Sequence, residues 1–162
     1  MKIITFFLLF LLMSCNNGAQ KISAEENKNT IDWKILRIES GNQTIIIDRN
    51  EDYGVRDTCN FEEIKINESL TEYRPINRGQ EYFDISPQDK DSLFNYIYDI
   101  VTNPVYTDQF ATCYVGNVSI GFSVGNTTLA CKYSSIGNWT TISGSTKRLY
   151  NLLRMKTKIS EY

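Results

Sequence analysis

Four cysteines, at positions 15, 59, 113 and 131, and no histidine set the limits of the chemistry open to this chain. Without imidazole, the commonest general base and the commonest metal ligand are missing. A Ser–His or Cys–His nucleophile pair is therefore impossible. A reactive cysteine would have to ionise without the neighbour that usually takes its proton. The carboxylates do not fill the gap. Glu25-Glu26, Asp57 and Glu62-Glu63 have no spacing that marks a calcium loop or an acid–base pair, and they read as solvated surface. The expectation is a chain with no catalytic residue, no metal and no cofactor.

Cys15 is different, because of what precedes it. Lys2 is a short cationic start, and Ile3 to Met13 is an apolar run of 11 residues broken only by Thr5. A membrane span needs about 18 such residues or more, so this run has the length of a signal-peptide core. Leu12-Met13-Ser14-Cys15 then resembles the lipobox of bacterial lipoproteins: an aliphatic residue, a variable one, a small one, and Cys. Met13 is bulkier than the residue usual at the second position. The resemblance implies that diacylglycerol joins the Cys15 sulfur and that cleavage follows Ser14. It also makes the five Asn-x-Ser/Thr triplets, at Asn42, Asn67, Asn117, Asn126 and Asn138, turn and loop residues rather than glycan acceptors. Residues 1–14 are thus read as signal and residues 15–30 as lipidated Cys15 with its tether. Residues 31–162 are read as one domain. The tether, Asn16 to Thr30, is polar; its 15 residues reach about 50 Å when stretched. A coil of that length averages nearer ~20 Å. Asn16-Asn17-Gly18-Ala19 lacks the acidic run that resembles a surface-export signal. The domain is therefore expected to face the periplasm from the outer membrane.

Charge narrows the partners. The formal net charge is −2, and −3 once Lys2 is removed, which argues against nucleic acid. From Asp48 to Asp108 there are 14 acidic and 6 basic residues, a net of −8. From Gln109 to Tyr162 there are 1 acidic and 6 basic, a net of +5. Two halves that pack together and neutralise each other account for this most simply; an acidic and a basic face is the sharper alternative.

The elements that must position these residues follow from turn signals and periodicity. Gly41-Asn42, Gly116-Asn117, Gly125-Asn126 and Gly137-Asn138 each suit a type II′ corner between antiparallel strands. The first pairs Ile38 with Ile45 and Leu36 with Ile47, an N-terminal hairpin. The second and third generate a three-stranded meander. Its apolar face carries Ala111, Cys113, Val115, Val118, Ile120, Phe122, Val124, Leu129, Cys131 and Tyr133. Its other face carries Thr112, Tyr114, Ser119, Gly121, Ser123, Thr128, Ala130 and Lys132. A slip of one residue would mix the two sets. In that register Cys113 and Cys131 flank Ile120, about 9.6 Å apart. A disulfide needs Cα atoms within about 7 Å. So either Cys59 reaches one of them, or all three are thiols, or the register differs. Phe61 to Ile66 and Gln80 to Ile85 are weaker strands, and Gly137-Asn138 is expected to fold Trp139 to Ile142 back as a short last one. Ser86-Pro87-Gln88-Asp89 has the pattern of a capped helix start. Leu93, Phe94, Ile97, Ile100 and Val101 share a helical face after it, and Pro104 ends it. A last helix, capped by Ser143 or Ser145, carries Leu149, Leu152 and Leu153. The class is α+β: a mostly antiparallel sheet with a middle helix and a C-terminal helix.

With 10 Tyr and 2 Trp the chain is rich in residues that contact partners at low entropy cost. Tyr114, beside Ser119 and Lys132 on the polar meander face, is the first binding candidate, with Lys132 and Trp139. The format of signal, lipidated Cys, tether and one α+β domain resembles that of periplasmic immunity, inhibitor and envelope accessory lipoproteins. It implies a non-enzymatic binding protein with a protein partner. The other classes are a small-ligand or glycan binder and a hydrolase working without His. A flat exposed patch would favour the first, a pocket lined by Trp and Tyr the second, and a deep pocket of converging acids the third. The lipobox gives a direct expectation: Cys15→Ala abolishes labelling by a fatty-acid probe and leaves the chain soluble or unprocessed. Continued labelling of that variant refutes the assignment.

Overall fold

Two of the Gly-Asn dipeptides, at Gly41 and at Gly125, behave as the alternation requires. In a computed structural model, which describes residues 31–105 and 116–161, β1 (Trp33–Ser40) turns at Gly41-Asn42 into β2 (Gln43–Asp48). Ile38 stands opposite Ile45 and Leu36 opposite Ile47. β5 (Asn117–Val124) turns at Gly125-Asn126 into β6 (Thr127–Ser134), with Val118 opposite Tyr133, Ile120 opposite Cys131 and Phe122 opposite Leu129. The glycines have φ of +57° and +58°, while neither Asn is in the positive region. Positive φ at the first central residue alone is the type II′ pattern. Cys15, residues 16–30 and the segment carrying Ala111, Cys113, Tyr114 and Val115 lie outside the described residues.

The rest of the meander is corrected. Both edges of β5 are taken, one by β6 and the other by β1, with Ile38 opposite Ile120 and Leu36 opposite Phe122. The place expected for Ala111, Cys113 and Val115 is held by Leu36 and Ile38. Alternation states which face a strand buries and not which strand lies beside it. Leu and Ile carry more apolar surface than Ala and Cys, at about 0.8 kcal/mol per buried CH₂. Leu36, Ile38, Val118, Ile120 and Phe122 are all 0–1% exposed.

The six strands form one antiparallel sheet in the order β4-β3-β2-β1-β5-β6. The weak strand candidates are pieces of two long ones, β3 (Tyr53–Asn67) and β4 (Leu70–Asp84). Their pairing register slips at Ile66 and again at Ile76, which breaks the period of two. Trp139 to Ile142 is not a strand. Trp139–Thr141 is a 3₁₀ turn, because the Asn138 side chain accepts from Thr140 N at 2.8 Å and from Thr140 Oγ1 at 2.6 Å. That local bonding competes with a sheet ladder and wins.

Both helices lie on one face of the sheet. α1 (Pro87–Thr102) is capped by Ser86 Oγ, which accepts from Asp89 N at 3.1 Å, while Asp89 accepts in return from the Ser86 N–H. Its buried stripe is Leu93, Phe94, Ile97 and Ile100, with Val101 partly buried. α2 (Gly144–Arg154) is capped by Ser143, with Thr146 closing the box, and it buries Leu149 and Leu153. Trp33, Leu36, Ile38, Ile45, Ile47, Phe83, Val118, Ile120 and Phe122 meet these stripes from the sheet. Phe94 is at the centre: its ring stacks on Trp33 at 5.5 Å and meets Phe122 edge-on at 5.3 Å. Part of the charge asymmetry is also internal. Lys156, just past α2, bonds Asp89 at 2.7 Å, and Arg148 donates to Ser145 Oγ, which donates to Asp99.

Two outcomes follow. Phe94→Ala costs about 3–5 kcal/mol in denaturant unfolding, as expected for a buried ring whose site cannot collapse; a loss under about 1 kcal/mol refutes the packing. The Lys156 ammonium, with the Ser86 hydroxyl, holds the Asp89 carboxyl below its ordinary range. A carboxyl lowered by folding stabilises the fold above the ordinary carboxylate range, and that stability is lost as pH falls through the lowered value. Lys156→Met therefore moves the acid-unfolding midpoint, read by circular dichroism, to higher pH, while stability near neutral pH also falls.

Candidate binding surface

The helices cover one face only, so the other face of the sheet is a surface whose residues can be read from the register. One row across all six strands is Tyr82, Val55, Ile46, Arg37, Gly121, Ala130. The next is Gln80, Asp57, Thr44, Glu39, Ser119, Lys132. The first is apolar at the β4 end, where Tyr82 is 60% exposed and meets Tyr53 edge-on at 5.4 Å. The second is polar and internally bonded: Gln80 Nε2 donates to Asp57 Oδ1 at 3.0 Å.

β3 and β4 overrun this sheet. β2 stops pairing with β3 at Thr58, whereas β3 and β4 stay paired to their turn at Asn67 and Leu70. Beyond Cys59 the two strands form an arm, and its turn is held by Asn67 Oδ1 accepting from Ser69 N at 2.9 Å. Phe61, Ile66, Leu70, Tyr73 and Ile76 on the arm are each more than half exposed. With Tyr53 and Tyr82 farther back, where the same two strands belong to the sheet, β3 and β4 carry seven of the eleven large hydrophobic side chains exposed among the described residues.

Where the arm leaves the sheet there is a concave corner. A hollow of about 570 Å³ is lined by Arg37, Thr44, Asp57, Cys59, Arg78 and Gln80, among others. A more open one, of about 710 Å³, is lined by Asn42, Asn60, Phe61 and Tyr73. Asn42 joins the two, and its Nδ2 donates to Asn60 Oδ1 at 3.3 Å. Arg37 is paired to Glu39 at 2.7 Å, but Arg78 has no hydrogen-bond or ion-pair partner among the described residues. A third hollow, of about 560 Å³, lies beside α2. Its Glu161 is already bonded by Asn138 at 2.9 Å and by the Tyr150 hydroxyl at 2.8 Å. Burial, then that bond to Glu161, pushes the Tyr150 hydroxyl up, which holds the donor protonated. Burial does the same for Tyr133, beside Cys131.

The binding candidates read from the sequence do not meet here. Cys15 and Tyr114 are outside the described residues. Lys132 is exposed, at the β6 end of the polar row, the opposite edge of the sheet from the arm. Trp139 is fully buried: its Nε1 donates to Ser160 O at 2.9 Å and its ring meets Tyr150 edge-on. It is a core residue and offers no binding surface. Cys59 and Cys131 are both unbonded, with β2, β1 and β5 between their strands, a separation of about 19 Å that no disulfide spans. Among the described residues no three or more His, Cys, Asp or Glu side chains are grouped to hold a metal. The residues that sequence reading passed over are Phe61, Tyr73, Ile76 and Arg78. Their signal was present only as aromatic and aliphatic residues scattered among charges, without a regular period. No family model matches the chain, and no curated protein or solved structure matches it significantly.

Proposed function

We propose that the chain is a lipid-anchored protein of the bacterial envelope whose folded unit is a non-enzymatic binding protein, of immunity or inhibitor type, that grips a protein partner through the β3–β4 arm and its base. The anchor rests on the Leu12–Cys15 lipobox, with the domain tethered to the outer membrane and facing the periplasm. Among the described residues no helix is long and apolar enough to cross a membrane. The binding role rests on one observation, the concentration of exposed large hydrophobic side chains on β3 and β4. Scattered apolar residues on a surface are ordinary, but a contiguous set is the usual mark of an interaction site. Tyr53, Tyr73, Tyr82 and Phe61 supply the rigid aromatic anchors that dominate binding energy at such sites. A second reading, a small-ligand or glycan binder, is favoured by the open hollow where Phe61 and Tyr73 stand beside the amides of Asn42 and Asn60.

A photo-crosslinking amino acid placed at Tyr73 in the full-length chain, in its native cell, distinguishes the two. The protein-binding reading expects an adduct of one discrete larger mass at Tyr73 and none at Thr128, on the far edge. Truncating Phe61 to Ala then weakens capture of the same protein by roughly 30-fold, the effect of losing an aromatic anchor worth about 2 kcal/mol. Equal adducts at Tyr73 and Thr128, or none at either, refute it. Glycan-dependent quenching of aromatic fluorescence without a protein adduct would move the assignment to the second reading.

A further inference from the structure

The side chains of the arm account for a partner, but its backbone edges pose a separate problem. An open strand edge offers a row of unpaired N–H and C=O groups to any other strand. The outer edge of β4 is protected. Pro75, opposite Phe61, has no N–H to give, and the register breaks beside it at Ile76. The outer edge of β3 has no such proline, and its one break in register, at Ile66, lies close to the turn. From Phe61 onward it has lost β2, it contains no proline, and no strand pairs with it among the described residues. Seven residues, Phe61-Glu62-Glu63-Ile64-Lys65-Ile66-Asn67, stand open over about 23 Å.

We infer that a second copy of this chain pairs with this edge, arm to arm and antiparallel, about a two-fold axis through Ile64. The sequence selects both the occupant and the register. Two copies related by a two-fold axis across their strand edges keep the same faces up only if the axis passes through a residue and its own copy. Centres at Glu62, Glu63 and Lys65 each set a charge against itself. A centre at Ile66 falls on the slip in register, one at Phe61 runs onto Cys59, whose N–H already bonds Asn42, and one at Asn67 falls on the turn. The centre at Ile64 sets Ile64 against Ile64, Glu63 against Lys65, and Lys65 against Glu63. Two opposite-charge cross-strand pairs thus form at once. The same register carries the Glu68 turn of one copy to the Asn60 end of the other. This pairing uses the backbone edge and leaves the apolar side chains of the arm facing outward, so it does not depend on the identity of any other partner.

The test uses the full-length chain in membranes. Ile64→Cys places two sulfurs at the axis, where directly opposed Cα atoms are about 5 Å apart and within disulfide reach. Glu72→Cys, opposite Ile64 on β4, puts the two sulfurs about 14 Å apart across three strand spacings. Under mild oxidation Ile64→Cys gives a disulfide-linked species of twice the monomer mass, well above the wild-type background, and Glu72→Cys does not. Adding Lys65→Glu to Ile64→Cys sets Glu against Glu twice and lowers the dimer yield about tenfold. Adding Glu63→Lys as well restores it. Ile64 lies outside the core cluster, so these variants fold. Equal yields from Ile64→Cys and Glu72→Cys overturn the inference, and so does failure of the double charge swap to restore the dimer.

Discussion

The pairing of β1 with β5 is the contact on which the rest of this fold depends. It joins residues more than eighty positions apart, with Leu36 against Phe122 and Ile38 against Ile120. The first four strands form outward from β1 by local turns, and nothing in them buries the second edge of β1. The chain must cross back over the sheet to reach that edge, and α1 is the element that lies on this route, between β4 and β5. Its stripe of Leu93, Phe94, Ile97 and Ile100 is covered only if it lies over the strands whose apolar face is widest. The non-local pair and the helix therefore fix each other. Each needs the other's apolar surface to offset the entropy of ordering it.

Covering one face has consequences at both ends of the sheet. Near the helices the fit is close. Gly54 leaves the space in which the Phe83 ring lies, since a Cβ there would stand 2.3 Å from it. Lys90 is 6% exposed, and its ammonium donates to Arg49 O at 2.8 Å and Glu51 O at 2.9 Å, fastening the β2–β3 turn to α1. A buried cation is tolerated there because two carbonyls replace its water. Far from the helices, β3 and β4 pass beyond every other element of the described residues. A two-stranded ribbon alone is marginal in water. This one is held at its root by the sheet and along its length by cross-strand pairing, so it is ordered without being covered.

The difference between what the sequence displayed and what it hid has the same origin. Features set within a few residues were legible: the II′ corners at Gly41 and Gly125, the Ser86 capping box, the stripes of both helices, and the α+β class. The register of β5 with β6 was legible because one face of β5 is buried and a slip would expose it, although Leu129, expected on that face, is 45% exposed on the edge strand. The neighbour of β5 was not, since alternation is equally satisfied by Val115 or by Leu36. The arm was hidden because both its faces are exposed and its register slips at Ile66 and Ile76, so it has no hydrophobic period to detect. Trp139 was misplaced because its type suggests a binding residue, while the Asn138 bonds that turn it inward are local and polar. Lys90 reads as a solvated charge in isolation. Its spacing of three and four residues from Leu93 and Phe94, on the apolar face of α1, was the signal that it is buried.

An edge of seven residues is a small surface on which to associate, and in free solution its few ladder bonds and two charge pairs would be offset by the entropy of bringing two chains together. Anchoring changes that balance. If Cys15 carries lipid, every copy is confined to one plane, and the 15-residue tether limits how far its domain travels from that plane. Confinement raises the effective concentration of one arm around another without adding a contact. A weak, self-complementary edge is then populated at the membrane and empty away from it. The same weakness protects a free chain: an edge strong enough to pair at low concentration would also recruit foreign strands. On this argument the mixed charges of Glu62, Glu63 and Lys65 have two effects. They select one register between copies, and they keep the edge from pairing elsewhere.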